Sequence, residues 1–534
     1  MSLQHKSDRS QFQMIALDSM ISSDNSVRVI DEFMNILNPE ELGFKIAGKS
    51  VEGRPAYDIH SMIKLYVYGY LNSVRSSRKL ARECVRNIEL WWLIGELKPK
   101  HVTIANFRKE NPEALKNLFK FFNTLYLKAG LFSKEVVAID GSKFRAVNSK
   151  KNNYNAKKIQ QHLEYIDKQT TEYLQALDDN DKREKKEKKE KMTGKTVEET
   201  LQKLKERKHK YETLDKQLSA SGQTQISTTD ADARALPLHM NIVEVSYNVQ
   251  AAVEETNKLI VNYEVTNELD FYALSPMAIQ AKEDLQIKED ETLTVLADKG
   301  YYTGSEIKEC HENGIETIVS PKKNANEKKE ERYQKRNFTY NKDEDVYICP
   351  EGNQLKTNGQ WYNKNSGTGR KSYKVQHYKI SYSKCDACPF KQECVGSLLN
   401  NSHGKVIERT EYDNNLERNN EKVAANITLY KKRQTIVEHP FGTQKRQWGY
   451  THTLLKGKKK VTGEFALIFL CYNLRRIMSI IKDNPFKFNL IIDFMQKMGI
   501  WRHMEAVTIE MKKMKKWLQY SPQKKIYPNF EVCF

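Results

Sequence analysis

Two aspartates and one glutamate stand in sequence surroundings that call for chemistry. Asp140 closes the run Val136-Val137-Ala138-Ile139, and Asp298 closes Thr294-Val295-Leu296-Ala297; a glycine follows each within two residues. A carboxylate delivered at the end of a buried strand is costly unless it is hydrogen-bonded or metal-bound. Two such groups on neighbouring strands, joined by a third from a helix, offer hard oxygen ligands suited to Mg²⁺ or Mn²⁺. Taken singly, each aspartate reads better as a cap for the turn after it, and only the matching pair brings the metal reading level. Glu438 is the third carboxylate: across residues 430–460 there are nine basic residues and this single acid. A lone acid in such a field fits a metal ligand beside a phosphate-binding face made by Tyr430, Lys431, Lys432, Arg433, Lys445 and Arg446. On an ideal helix Lys445 falls about 20° from Glu438, although Pro440 between them is expected to kink or end the helix. Trp448 reads either as a stacking surface for an extruded base or as a core residue.

These groups need elements to position them. Residues 1–129 read as helical, with apolar residues at helical spacing from Ile59 onward and a second helix opening near Ser77 as N-cap. The layout resembles a helix-turn-helix, with Arg78, Lys79, Arg82, Arg108 and Lys109 as candidate DNA contacts, or else a plain helical bundle with solvated cations. The pattern then changes to strands ending at Asp140, at 242–252, 258–265, 292–298 and 317–319, with helices at 275–287 and 304–312 between them. That is an α/β core with a mixed sheet. Two segments interrupt it. Residues 151–218 read as two long helices joined near 180–195, and residues 322–416 hold the cysteines Cys349, Cys385, Cys388 and Cys394. A C-x2-C pair with two further cysteines can bind structural Zn²⁺ through four thiolates, or the thiols can simply stay free. Asp230 and Asp232 read as turn formers or as helpers of a metal site. Helices return at 417–437, 461–482 and 505–519, the last rich in lysine with Lys512, Lys513, Lys515 and Lys516.

The net charge of +19 is unevenly spread: residues 1–129 carry +5, residues 430–534 carry +14, and the stretch between is neutral. A polyanionic partner is expected, nucleic acid first, held mostly by the two ends of the chain. The polar start MSLQHKSDRS lacks the apolar core of a secretory signal. The longest strongly apolar stretch, residues 465–472, is too short to span a bilayer. Four scattered and four clustered cysteines make no disulfide scaffold and fit a reducing compartment.

Taken together, the motifs resemble those of DDE-type transposases of bacterial insertion sequences. The resemblance is carried by His101, Thr103, Phe107 and Arg108, by A-I-D-G-S-K around Asp140, by A-D-K-G-Y at residues 297–301, and by R-x4-E-x2-F-G-x2-K around Glu438. Tyr430, Arg433, Glu438 and Lys445 match the Y-x2-R-x3-E-x6-K signature of one branch, with one extra residue between Arg433 and Glu438.

The resemblance implies an RNase H-like catalytic core with Asp140, Asp298 and Glu438 as the acidic triad. It also implies two Mg²⁺ or Mn²⁺ ions acting on one scissile phosphate, with Arg433, Lys445 and more weakly Lys299 on terminal phosphates. The implied substrate is double-stranded DNA, both the element's terminal inverted repeats and its target. The implied assembly is a homodimer or larger synaptic complex, off the membrane, in the bacterial cytoplasm with the nucleoid.

The expected organisation is a helical DNA-binding domain (1–129), a catalytic core in three pieces (130–150, 219–321 and 417–485), a helical hairpin insertion (151–218), an insertion bearing the four clustered cysteines (322–416) and a basic tail (486–534). The competing readings are a transposase-derived DNA-binding protein without catalysis, and another RNase H-like nuclease.

Overall fold

The computed structural model describes residues 14–22, 25–45, 55–184, 194–238, 242–322, 331–365, 372–395 and 404–483. The basic tail at 486–534, with its helix expected at 505–519, lies outside the described residues. The chain divides into two units, Met1–Ser133 with Gly141–Leu269 and Val437–Phe534, and Lys134–Asp140 with Asp270–Ile436. The architecture is mixed α/β.

The first unit opens with α1 (Ser26–Asn35), α2 (Ile59–Leu71), α3 (Ser77–Arg86), α4 (Ile88–Ile94), α5 (His101–Glu110) and α6 (Pro112–Lys128). Their starts follow from local chemistry. The Asn25 side chain accepts from the Val27 N–H at 2.9 Å, and Asp58 accepts from Ser61 N–H at 2.9 Å. Proline at the first position of α6 gives up an N–H that the helix does not need. Ser77 was the expected cap of α3; the cap position is Ser76 instead, and its side chain makes no capping bond.

Strand β1 (Val136–Arg145) does not stop at Asp140, as its apolar run suggested, but continues five residues further. It belongs to both units, with residues 136–140 counted in the second and 141–145 in the first. Next come β2 (Asn153–Asn155), the long helices α7 (Ala156–Glu184) and α8 (Gly194–Ser221), and β3 (Gln225–Ser227). α7 and α8 share a small core that includes Ile159, Ile166, Tyr211 and Leu214. β4 (Arg234–Pro237), β5 (Val243–Glu254) and β6 (Ile260–Thr266) follow, with β5 antiparallel to both others.

The second unit holds α9 (Leu274–Asp284), β7 (Leu293–Ala297), α10 (Gly304–Glu312) and β8 (Ile315–Val319). Here β1, β7 and β8 run parallel. β7 and β8 are largely buried, as expected of parallel strands covered on both faces. The cysteine-bearing stretch forms an antiparallel sheet of β9 (Thr339–Asn341), β10 (Val346–Ile348), β11 (Gln354–Thr357), β12 (Tyr362–Lys364), β13 (Tyr373–Lys379) and β14 (Val406–Thr410). The short helices α11 (Tyr382–Asp386) and α12 (Lys391–Cys394) precede β14. α13 (Asp413–Ala425) packs on β8, and buried Asn419 both donates to the Val319 carbonyl and accepts its N–H, at 2.8 and 2.9 Å.

α14 (Ile427–Gly442) runs from the second unit back into the first and is followed by α15 (Lys458–Asp483). α15 is the buried helix of the first unit: Phe465 packs on Phe144 and Phe469 on Tyr263, at ring centroid distances of 4.7 and 5.0 Å. Each such aromatic burial stabilises the fold by about 1.5–3 kcal/mol. No described helix is long and apolar enough to cross a membrane.

Candidate active site

Parallel pairing of β1 and β7 sets Ile139 opposite Ala297. Asp140 is the next residue of β1, and Asp298 directly follows the end of β7. Strand neighbours lie about 4.8 Å apart, and positions in register share a face. The register therefore brings both aspartates to the same end of two neighbouring parallel strands. Both residues are only partly buried. Asp298 turns one oxygen back to the Gly300 N–H. A Cβ on Gly300 would sit 2.7 Å from Asp298 Oδ1 and 3.7 Å from Asp270 Oδ2, so a larger residue here would force the Asp298 carboxylate to move. Asp270 was missed in the sequence, because its approach depends on two turns meeting and follows no apolar run.

Arg433 on α14 places a guanidinium nitrogen 3.7 Å from Asp140 Oδ2, with its side chain 17 % exposed. Its guanidinium carbon lies 5.9 Å from the Tyr430 ring centroid. Arg433 is thus ion-paired with Asp140, where a phosphate contact alone was expected. Lys431 and Lys432 are exposed on the same helix, and so is Glu438, five residues after Arg433 in the part of α14 that belongs to the first unit. Burial, followed by Arg476 and Lys258, lowers the pKa of the adjacent His439. Its ring is hydrogen-bonded to the Tyr472 hydroxyl at 2.7 Å, although the residue as a whole is exposed.

Pro440 does not end α14. The helix continues to Gly442 and opens into one π-helical stretch, Thr443–Gln447. That wider turn removes the ideal spacing that would have stacked Lys445 over Glu438. Lys445 Nζ instead donates to the Lys143 carbonyl of β1 at 2.8 Å and lies 4.4 Å from the Phe144 ring centroid. Arg446 is exposed. Trp448 is 6 % exposed and packs on Tyr450, so base stacking is ruled out by burial.

On the N-terminal helices, Arg78, Lys79, Arg82 and Lys109 are exposed or half-buried. Arg108 is corrected: it is 4 % exposed and donates to the Tyr70 hydroxyl at 2.7 Å and the Arg75 carbonyl at 3.3 Å. A guanidinium so enclosed is part of the core and offers nothing to DNA. Asp230 and Asp232 hold the start of α15: Asp230 accepts from Gly457 N–H at 3.0 Å, and Asp232 from Lys458 N–H at 2.7 Å.

Cys349, Cys385, Cys388 and Cys394 are reduced and line one small cavity in the second unit. Backbone N–H groups approach two of the sulfurs, Asn353 to Cys349 Sγ at 3.3 Å and Lys405 to Cys385 Sγ at 3.4 Å. Among the described residues, no three or more His, Cys, Asp or Glu side chains are gathered closely enough to grip a metal ion. The donor chemistry suits hard cations at the aspartates and zinc at the cysteines, and either set would have to close on its ion.

Residues 348–478 match the family described as Transposase DDE domain, and residues 15–110 match the Transposase domain (DUF772). Both matches are to transposase families and support a DDE-type transposase of an insertion sequence. The first match takes in β11 to β14 of the cysteine sheet, α13 and α14, and the second takes in α1 to α5. No curated protein and no solved structure matches the chain.

Proposed function

We propose that this transposase binds the inverted repeats ending its element, cleaves there, and joins the freed ends to target DNA, with Asp140, Asp298 and Glu438 as its acidic triad. The observation that carries the reading is the parallel β1–β7 register, which sets Ile139 opposite Ala297, one residue before Asp140 and Asp298. An RNase H-like core is supported by its component parts, the antiparallel β5–β6 hairpin and the parallel β1–β7–β8 set. Asp140, Asp298 and Glu438 would hold Mg²⁺ or Mn²⁺, which when bound supplies positive charge at the scissile phosphate and acidifies an attacking water or 3′-hydroxyl.

The chain's own groups do the rest. Gly300 N–H fixes the orientation of Asp298. Arg433 balances Asp140 until a cation or phosphate takes over part of that role. Lys431, Lys432 and Arg446 neutralise backbone phosphates beside the site, while Arg78, Lys79, Arg82 and Lys109 do so on the N-terminal helices. The four cysteines would take a structural Zn²⁺ that ties α11 and α12 to the β10–β11 turn. Pairing two element ends calls for a dimer or larger assembly.

The test uses the purified full chain and duplexes drawn from the DNA flanking its gene. Wild type should cleave in Mg²⁺ and not in EDTA, and Glu438→Gln should bind the same duplex without cutting it. Cutting by Glu438→Gln at the wild-type rate would remove Glu438 from the triad. Binding with no cleavage by wild type in either metal would favour the non-catalytic DNA-binding reading.

A further inference from the structure

The second unit contains a recess of about 390 Å³ that the chemistry above leaves unused. Phe271, Tyr302, Tyr373 and Tyr412 wall it, with Lys322 and the start of α10 at its edge. Its size is that of a small-ligand site. Lys322 Nζ lies 3.9 Å from the Phe271 ring centroid, and the Tyr373 and Tyr412 rings are 6.5 Å apart, tilted by 44°. A Cβ on Gly304 would fall 2.6 Å from Tyr412 Cβ, so glycine lets the tyrosine lie directly on the first turn of α10. Thr303, at the cap position, makes no side-chain capping bond, and its buried Oγ1 has no hydrogen-bond partner.

Aromatic faces, an ammonium, an unused hydroxyl and the positive end of a helix suit one kind of ligand: a flat π system joined to a phosphate. The recess is also tied to the carboxylates. Tyr302 follows Asp298 by four residues, and Phe271 follows Asp270, whose carboxylate reaches the Gly300 turn. We infer that this recess holds one unpaired nucleotide of the DNA strand, with its base among the rings and its phosphate at Lys322 and the α10 start. This rests on the DNA-processing reading above and adds to it a subsite for a displaced base.

The experiment measures binding of the full chain to a fluorescent oligothymidylate and to a duplex of equal length. Tyr302→Ala and Tyr412→Ala should each weaken the single strand by about tenfold and leave the duplex within about twofold. Tyr412→Phe keeps the ring and should bind as wild type does, so a mere folding defect is separated from loss of stacking. Lys322→Gln should reduce the salt dependence of single-strand binding by about one phosphate contact. Photo-crosslinking of a 5-iodouracil strand should label peptides containing Phe271, Tyr302 or Tyr412. Equal losses for single strand and duplex, no loss at all, or crosslinks only outside these peptides would overturn the proposal. Asp298→Asn should still bind oligothymidylate. If it also still cleaved, the catalytic reading would fail while the base subsite stood.

Discussion

Glu254 and Glu464 in one unit, and Asp140 and Asp298 in the other, are acids placed in opposite ways. Glu254 and Glu464 are fully buried. Glu254 accepts from the N–H groups of Ser133, Thr256, Asn257 and Leu259 at 2.7–3.3 Å. Glu464 accepts from Leu454 and Leu455 N–H and from Arg75. Their lone pairs are spent on the chain itself. Asp140 and Asp298 stay partly accessible, one within β1 and one just past the end of β7, and their surroundings include a cation and a tight turn. Burial with backbone donors marks an acid as architecture. Partial exposure at the same end of two parallel strands is what the proposed cation-binding role asks of an acid.

The comparison breaks if the buried acids prove dispensable. Glu254→Ala should strip several amides of their acceptor and cost about 3–5 kcal/mol, read as a large fall in the denaturant midpoint. A variant as stable as wild type would show that Glu254 is not structural. The same contrast holds for cations. Arg108→Met should lower stability by about 1–3 kcal/mol, because the Tyr70 hydroxyl and the Arg75 carbonyl lose their buried donor. Arg78→Ala, outside the core, should leave stability within about 0.5 kcal/mol while reducing the salt slope of DNA binding by about one. Reversal of those two outcomes would invert the assignment of core and DNA-facing arginines.

The smallest effect concerns Glu32. Burial, and then Asp31, push its carboxyl up to about 7, with Lys64 opposing. The folded state therefore keeps a proton that the unfolded state releases from about 4.5 upward, so stability falls as pH rises between these values. Glu32→Gln should raise Tm by roughly 2 °C near pH 8 and leave it unchanged near pH 4. An equal shift at both pH values would point to a cause other than titration.

Much of this was legible from residues alone. Apolar runs closed by an acid gave β7 and the first half of β1, and helical spacing gave α3, α10 and α15. What was hidden depended on tertiary partners. Nothing in F-R-K tells that Arg108 points inward, because the sequence does not show the Tyr70 hydroxyl awaiting it. β1 continues past Asp140 because the Lys143–Arg145 segment finds bonding partners far along the chain, Lys445 at the Lys143 carbonyl and Thr451 at the Arg145 N–H. The π-helical stretch after Pro440 defeats any fixed angular spacing between Glu438 and Lys445. Asp270 reaches Gly300 only through folding.

The central claim is that Asp140 and Asp298 are chemical rather than structural. It is tested most directly by measuring Mg²⁺-dependent cleavage of element-end DNA, duplex affinity and Tm on the same preparations of Asp140→Asn and Asp298→Asn. The account predicts a loss of roughly a thousandfold in cleavage, about 4 kcal/mol of transition-state stabilisation, with duplex affinity and Tm close to wild type. Cleavage at the wild-type rate, or a Tm loss as large as that of Glu254→Ala, would contradict it.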